Sequence, residues 1–128
     1  MQTPSIDKLC DMSIMHGISV HWHRGGPKGA WFPNHRVISI RDGMSSTQTR
    51  TTIAHELGHA RRDHRCGLCQ RSEDEADAFA ASLLITPDAY RQAETVYGPH
   101  PAVIAEELGV TIHLVRFWRA LHLRRSAA

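Results

Sequence analysis

Apolar residues recur along this chain with two periods, and the changes of period divide it into elements. Residues 4–16 place Ile6, Leu9, Cys10, Ser13 and Ile14 on one helical stripe, opened by Pro4 or Ser5 and closed by Gly17. The period then falls to two. Ile18, Val20 and Trp22 alternate with Ser19, His21 and His23, which predicts a strand burying the first three. After the turn Gly25-Gly26-Pro27-Lys28-Gly29, residues 30–32 and 37–40 read as two further strands. Their short connections predict a small antiparallel sheet.

Helical spacing returns for the rest of the chain. Ile53, Ala54, Leu57 and Ala60 form a stripe behind Ser45, Ser46, Thr47 and Thr49, any of which can cap the helix. Ala76, Phe79, Ala80, Leu83 and Leu84 mark a core helix starting near Ser72, where Ser72 and Glu75 have capping-box spacing. Thr86-Pro87 opens another helix and Gly98-Pro99 stops it. Residues 101–121 read as two short helices around Gly109-Val110-Thr111, and residues 124–128 are expected to fray. The fold class is α+β, with a core over residues 1–97 and a helix-turn-helix-like segment over 98–128.

Composition narrows this picture only in part. The 128 residues, 41% hydrophobic and 22% charged, suit one soluble domain. No apolar run approaches the roughly 20 residues that span a bilayer. Asp7, Lys8 and Asp11 interrupt the place where a signal peptide needs an apolar core. Three cysteines, an odd number, argue against a disulfide framework. A cytoplasmic location without membrane contact is expected. A formal charge of +2 selects no partner class, but ten histidines point to metal chemistry.

The chemistry centres on His55-Glu56-Leu57-Gly58-His59. One helical turn brings His55 and His59 to one face, a spacing suited to two corners of a zinc site. Glu56, about 100° round the helix, can reach a metal-bound water as general base. Gly58 costs about 1 kcal/mol against Ala in a helix, so it suggests close approach of another backbone, taken as a strand. A catalytic zinc needs a third protein ligand. On a helical wheel of the segment starting at Ser72, Glu73 aims best toward the HELGH helix. Asp77, one turn on, is placed to hold a ligand imidazole. Glu75 remains the alternative ligand, although the capping box gives it a local role.

HELGHA, the segment EDEADAFAASLLITP, the strand VISI and the helix leading into ISVHW together resemble the ImmA/IrrE family of metallopeptidases. The resemblance covers nearly the whole chain. It implies a zincin-like core, Zn2+ held by His55, His59 and Glu73, Glu56 as base, and Asp77 in the small-residue position four after Glu73. It further implies cleavage of a repressor protein of a mobile element, such as a phage, or of a stress regulon. The chain departs from the pattern in two places. Only 13 residues separate His59 from Glu73, and they contain Cys66-Gly67-Leu68-Cys69; the later helix ends Leu84-Ile85-Thr86-Pro87 where Leu-Met-Pro is more usual.

Cys66 and Cys69 have knuckle spacing. They read most simply as a reduced loop pair; a second zinc site completed by His64 and Cys10, or a redox dithiol, are the alternatives. His21, His23 and His35 are further candidate ligands. In the C-terminal segment Ile104, Leu108, Val110, Val115 and Trp118 fall at the buried positions of a helix-turn-helix, and Ala105 and Gly109 at its small ones. His113, Arg116, Arg119 and His122 could then meet DNA, or the hairpin could pack on the core or hold a substrate protein. The expected function is a zinc endopeptidase acting on a helix-turn-helix repressor, aligned by strand addition on residues 36–40. His35, Tyr97 and His100 are candidate oxyanion donors. The alternative is a DNA-binding regulator whose zinc fold is a scaffold or sensor.

Overall fold

The computed structural model describes residues 4–65 and 69–127, with side chains as far as His122. The chain runs α1 (Ile6–Met15), β1 (Ser19–His23), β2 (Gly29–Phe32), β3 (Val37–Arg41), α2 (Ser46–Arg61), α3 (Gln70–Leu84), α4 (Pro87–Tyr97), α5 (Pro101–Leu108) and α6 (Ile112–Ala127). The architecture is α+β. Among the described residues no helix is long and apolar enough to cross a membrane.

Helix α2 is the axis of the molecule. The Ser45 side chain caps it by accepting the Gln48 N–H at 3.1 Å. Its stripe of Ile53, Ala54, Leu57 and Ala60 is buried, and α1, α3 and the sheet surround it. Leu9, Ile18, Ile38, Ile40 and Leu84 complete the core around that stripe. Each fully buried Leu or Ile contributes roughly 1.5–3 kcal/mol. Gly58 marks the closest approach, and the neighbour is a helix rather than the expected strand. A Cβ at Gly58 would stand 3.0 Å from both Cα and O of Ala76 and 3.1 Å from the Phe79 Cβ. The α2 and α3 backbones meet there with no room for a side chain.

The sheet is mixed, where short connections suggested an antiparallel one. The strand order is β1-β3-β2, with β3 parallel to β1 and antiparallel to β2. The β2–β3 hairpin folds back so that β3 enters beside β1. His23 secures this insertion. Its Nε2–H donates to the Pro27 carbonyl at 2.7 Å, and its Nδ1 accepts the Ser39 hydroxyl at 2.6 Å. Both ring nitrogens are thereby engaged in the fold. Because β3 pairs on both sides, residues 36–40 offer no free edge for a substrate strand; β1 and β2 are the edges. Trp22, expected to be buried, is 48% exposed on edge strand β1.

Helix α3 starts at Gln70, about half a turn before the expected cap. Cys69 is its N-cap residue, and Ser72 is buried inside the helix, so the Ser72–Glu75 capping box does not form. Thr86 caps α4 as expected, accepting the Ala89 N–H at 3.1 Å. The C-terminal pair turns at Gly109, which adopts a left-handed φ of 67°. Its carbonyl accepts from Arg50 of α2 at 2.8 Å, while Arg50 also donates to Pro4 O at 3.0 Å. Ile104, Ala105, Val110, Val115 and Trp118 are buried, and Trp118 lies between Tyr90 and His122. Helix α6 packs on α3 and continues to Ala127, past the expected end at residue 121.

The Gly58 contact yields a test. Ala is the better helix former by about 1 kcal/mol. Gly58→Ala should nevertheless lower the unfolding free energy by about 1–3 kcal/mol, because the added methyl presses on backbone that cannot swing aside. Urea denaturation measures this; a more stable variant would show that the two helices can part.

Candidate metal centre

One turn of α2 sets the His55 and His59 rings edge to face, 4.8 Å apart between centroids, with their Nε2 atoms 3.2 Å apart. The first turn of α3 brings Glu73 across the Gly58 contact. Its Oε1 lies 3.3 Å from His55 Nε2 and its Oε2 lies 2.7 Å from His59 Nε2. Among the described residues, His55, His59 and Glu73 are the group whose donor atoms converge, all within 4.8 Å of one another. Donors bound at about 2.1 Å to a tetrahedral zinc stand about 3.4 Å apart. Two imidazole nitrogens and one carboxylate at these spacings fit such an ion.

The other nitrogen of each imidazole is engaged. His55 Nδ1–H donates to Asp77 Oδ1 at 2.8 Å. The second oxygen, Oδ2, accepts the His113 Nε2–H at 2.9 Å. His59 Nδ1 is 2.9 Å from His64 Nδ1, and His64 Nε2 is 3.2 Å from Glu75 Oε1. Arg62 donates to the other Glu75 oxygen at 3.1 Å. Glu75 therefore turns to His64 and Arg62 rather than to a helix cap or the triad.

The electrostatics follow from burial and crowding. Burial pushes the Glu56 carboxyl up to about 7; Glu73 adds to that rise and His55 opposes it. Burial lowers His55, but the Asp77 hydrogen bond and the charges of Glu56, Asp77 and Glu73 outweigh it, leaving His55 above its ordinary value. His59 is held below its ordinary value by burial and by the neighbouring His55, which favours the neutral imidazole that a metal needs. Burial raises Asp77, yet hydrogen bonds from His55 and His113 hold it below the usual carboxylate range.

Glu56 stands where two halves of a cleft meet. On one side Trp31, His59, His64 and Glu73 help line a pocket of about 310 Å³. On the other, Gln48, Thr52, Asp77 and His113 help line one of about 610 Å³. Edge strand β2 forms one wall. A Cβ on Gly29 would fall 2.6 Å from Thr52 Cγ2 and 2.9 Å from Glu56 Cγ, so only glycine lets β2 lie this close to Glu56.

The remaining candidates are scattered. Cys66 lies outside the described residues. Cys69 sits at the start of α3, and Cys10 is half-buried on α1 with its thiol pushed up by burial and by Asp7 and Asp11. His64, offered as a partner for the cysteine pair, faces His59 and Glu75 instead. His21 is exposed on β1 and His35 in the β2–β3 turn. Tyr97 donates to Glu107 at 3.2 Å, and His100 is the N-cap residue of α5. Among the described residues lining the cleft, none of His35, Tyr97 and His100 occurs. Arg116 is exposed on α6, and Arg119 donates to Pro99 O at 3.5 Å. Sequence reasoning missed the cleft positions of Gly29, His64 and His113. The only signals were a glycine before an aromatic strand and a histidine five residues after His59.

Comparison with known proteins agrees with this geometry. The profile of the IrrE N-terminal-like domain, Peptidase M78, matches residues 11–117. No curated protein matches the chain. A solved structure, a Mycobacterium tuberculosis transcriptional regulator, superposes with a TM-score of 0.67 at 20% identity. The match covers 91% of this chain and 41% of that one, so this chain spans less than half of its length. At this identity the likeness is one of fold. HELGH and the downstream acidic signature lie inside the matched span, and the chain belongs to the IrrE N-terminal-like family, Peptidase M78, a family of metallopeptidase type.

Proposed function

We propose that this chain is a zinc-dependent endopeptidase that cleaves a specific cytoplasmic repressor protein of the helix-turn-helix kind, in the control of a mobile element or a stress response. One observation carries the reading. Two imidazoles and Glu73 converge beside a buried carboxylate, Glu56, in a cleft walled by an edge strand, β2. In this reading residues 1–97 form the catalytic core and residues 98–128 help to wall the cleft.

His55, His59 and Glu73 would hold Zn2+. When bound, the ion supplies Lewis-acid polarisation of the scissile carbonyl and lowers the pKa of water. The chain does the rest. Edge strand β2 pairs with an extended substrate segment and fixes its direction past Glu56. Glu56 accepts a proton from the attacking water and passes it to the leaving amine. Burial holds the metal-free Glu56 carboxyl near 7, and a bound dication would lower it toward the carboxylate that a general base needs. His113, held by Asp77 on the wall beside Glu56, is the side chain best placed to meet the substrate backbone there.

A second reading, a DNA-binding regulator, is favoured by the α5–α6 turn at Gly109 and the exposed Arg116. Against it, His113 in the first turn of α6 points to Asp77, whereas a recognition helix offers that end to the groove. Sequence-selective, salt-dependent DNA binding by the intact chain, with no cleavage of a repressor encoded beside its gene, would favour the regulator.

Three outcomes follow from the peptidase reading. Glu56→Gln should keep zinc and lose cleavage of the neighbouring repressor by about 100-fold or more; unchanged cleavage would remove Glu56 as base. Glu73→Gln should weaken zinc binding in a chelator competition, whereas Arg116→Ala should not. The third concerns the metal-free protein. Glu56 has a folded-state value raised from 4.5 to about 7, so folding loses stability as pH rises between those values. With zinc chelated, Glu56→Gln should therefore be more stable than wild type by on the order of 3 kcal/mol above pH ~8, the gap closing below pH ~4.5. Thermal melts across that range measure the difference, and a gap independent of pH would mean that the Glu56 charge is not confined.

A further inference from the structure

We infer that His64 and Glu75 form a positioning relay that accepts the His59 Nδ1–H and fixes the orientation of that ring in the metal-loaded protein. The inference rests on the reading that the triad holds a metal, and it adds residues which that reading leaves unused. Glu75 is a carboxylate with an oxygen 3.2 Å from His64 Nε2. A carboxylate only accepts, so His64 Nε2 carries the hydrogen. In neutral His64 the other nitrogen, Nδ1, is then a lone pair. It lies 2.9 Å from His59 Nδ1 and can accept from it. The opposite nitrogen, His59 Nε2, faces the Glu73 carboxylate at 2.7 Å and donates to it when no ion lies between them. A metal on Nε2 would take that nitrogen's lone pair and place the ring hydrogen on Nδ1, where His64 is its acceptor.

The backbone is shaped to make this contact. Helix α2 ends at Arg61, and Asp63 takes a left-handed φ of 49°. The chain doubles back, and the His64 N–H donates to the His59 carbonyl at 2.9 Å. The His64 ring is carried under His59, edge to face at 5.1 Å, with its side chain only 11% exposed. A left-handed non-glycine residue at this point is strained, and it is what returns His64 to the site. His55 has its carboxylate, Asp77, in direct contact. His59 has no carboxylate on Nδ1, and the imidazole of His64 spans the gap to Glu75. His64 and Glu75 act through His59 and do not themselves meet the metal.

The test uses the full chain and two readouts. The first is zinc affinity, measured by competition with a chelator. His64→Leu removes the acceptor while keeping bulk, and Glu75→Ala removes the anchor. Each should weaken zinc by about 10- to 100-fold. His64→Asn places a carbonyl oxygen near the Nδ1 position and should recover most of the affinity, whereas Arg62→Ala should change it little. The second readout is the His59 Nδ1–H in zinc-saturated protein, from proton–nitrogen correlation spectra of histidine-labelled samples. Wild type should show it as a hydrogen-bonded, slowly exchanging signal, and His64→Leu should lose it to solvent exchange. Wild-type affinity in both His64→Leu and Glu75→Ala, or a His59 Nδ1–H signal unchanged by His64→Leu, would overturn the relay. If His64→Leu does not fold, Glu75→Ala and His64→Asn decide by the same readouts. A wild-type chain that binds no zinc would instead overturn the metal reading, and the relay with it.

Discussion

The contact of α2 with α3 at Gly58 and Ala76 sets the scale of everything around it. Two helices touching backbone to backbone bring the first turns of α3 within reach of one face of α2. At that separation Glu73 can bridge both imidazoles, and Asp77, a turn further along, can hold His55 from behind. A larger residue at position 58 would force the helices apart, and the short carboxylate side chains could not make up the distance. The small residues that close this gap therefore contribute to the chemistry as much as the polar ones do.

The result is a crowded electrostatic site. Glu56, Glu73 and Asp77 share a small volume with four imidazoles, those of His55, His59, His64 and His113. Asp77 and Glu75 meet hydrogen-bond donors at both oxygens, which settles those two charges locally. Among the described residues Glu56 has no such partner, and it is buried. Its elevated value is the cost of confining a carboxylate in a pocket with another acid nearby. A bound dication would supply the positive charge that this arrangement lacks.

Much of this was legible in the sequence because it depends on helical periodicity alone. The cap at Thr86, the buried stripe of α2, and the inward aim of Glu73 all follow from spacing along one helix, whereas spacing left four residues as possible caps of α2, of which Ser45 serves. What was not legible depends on how elements meet. Alternation marks a strand but does not state its neighbours, so the entry of β3 between β1 and β2 went unread, as did the exposure of Trp22 on the resulting edge. Ser72 and Glu75 had the spacing of a cap, but Arg62 and His64 from the end of α2 draw Glu75 away from that role. His113 lies far along the chain from Asp77, and no local pattern could join them. His64 depends on a single left-handed residue, Asp63, which spacing does not reveal.

Asp77 carries a consequence of its own. One of its oxygens orients His55 and the other orients His113, and the two rings belong to helices far apart in the chain, α2 and α6. Sharing one carboxylate makes the two orientations interdependent. By thermodynamic linkage, a ligand that tightens or loosens one ring alters the hold on the other by the same free energy in both directions. A metal held by His55 and a ligand resting on His113 would then not be separate events, and Asp77 would be the atom-scale hinge between them.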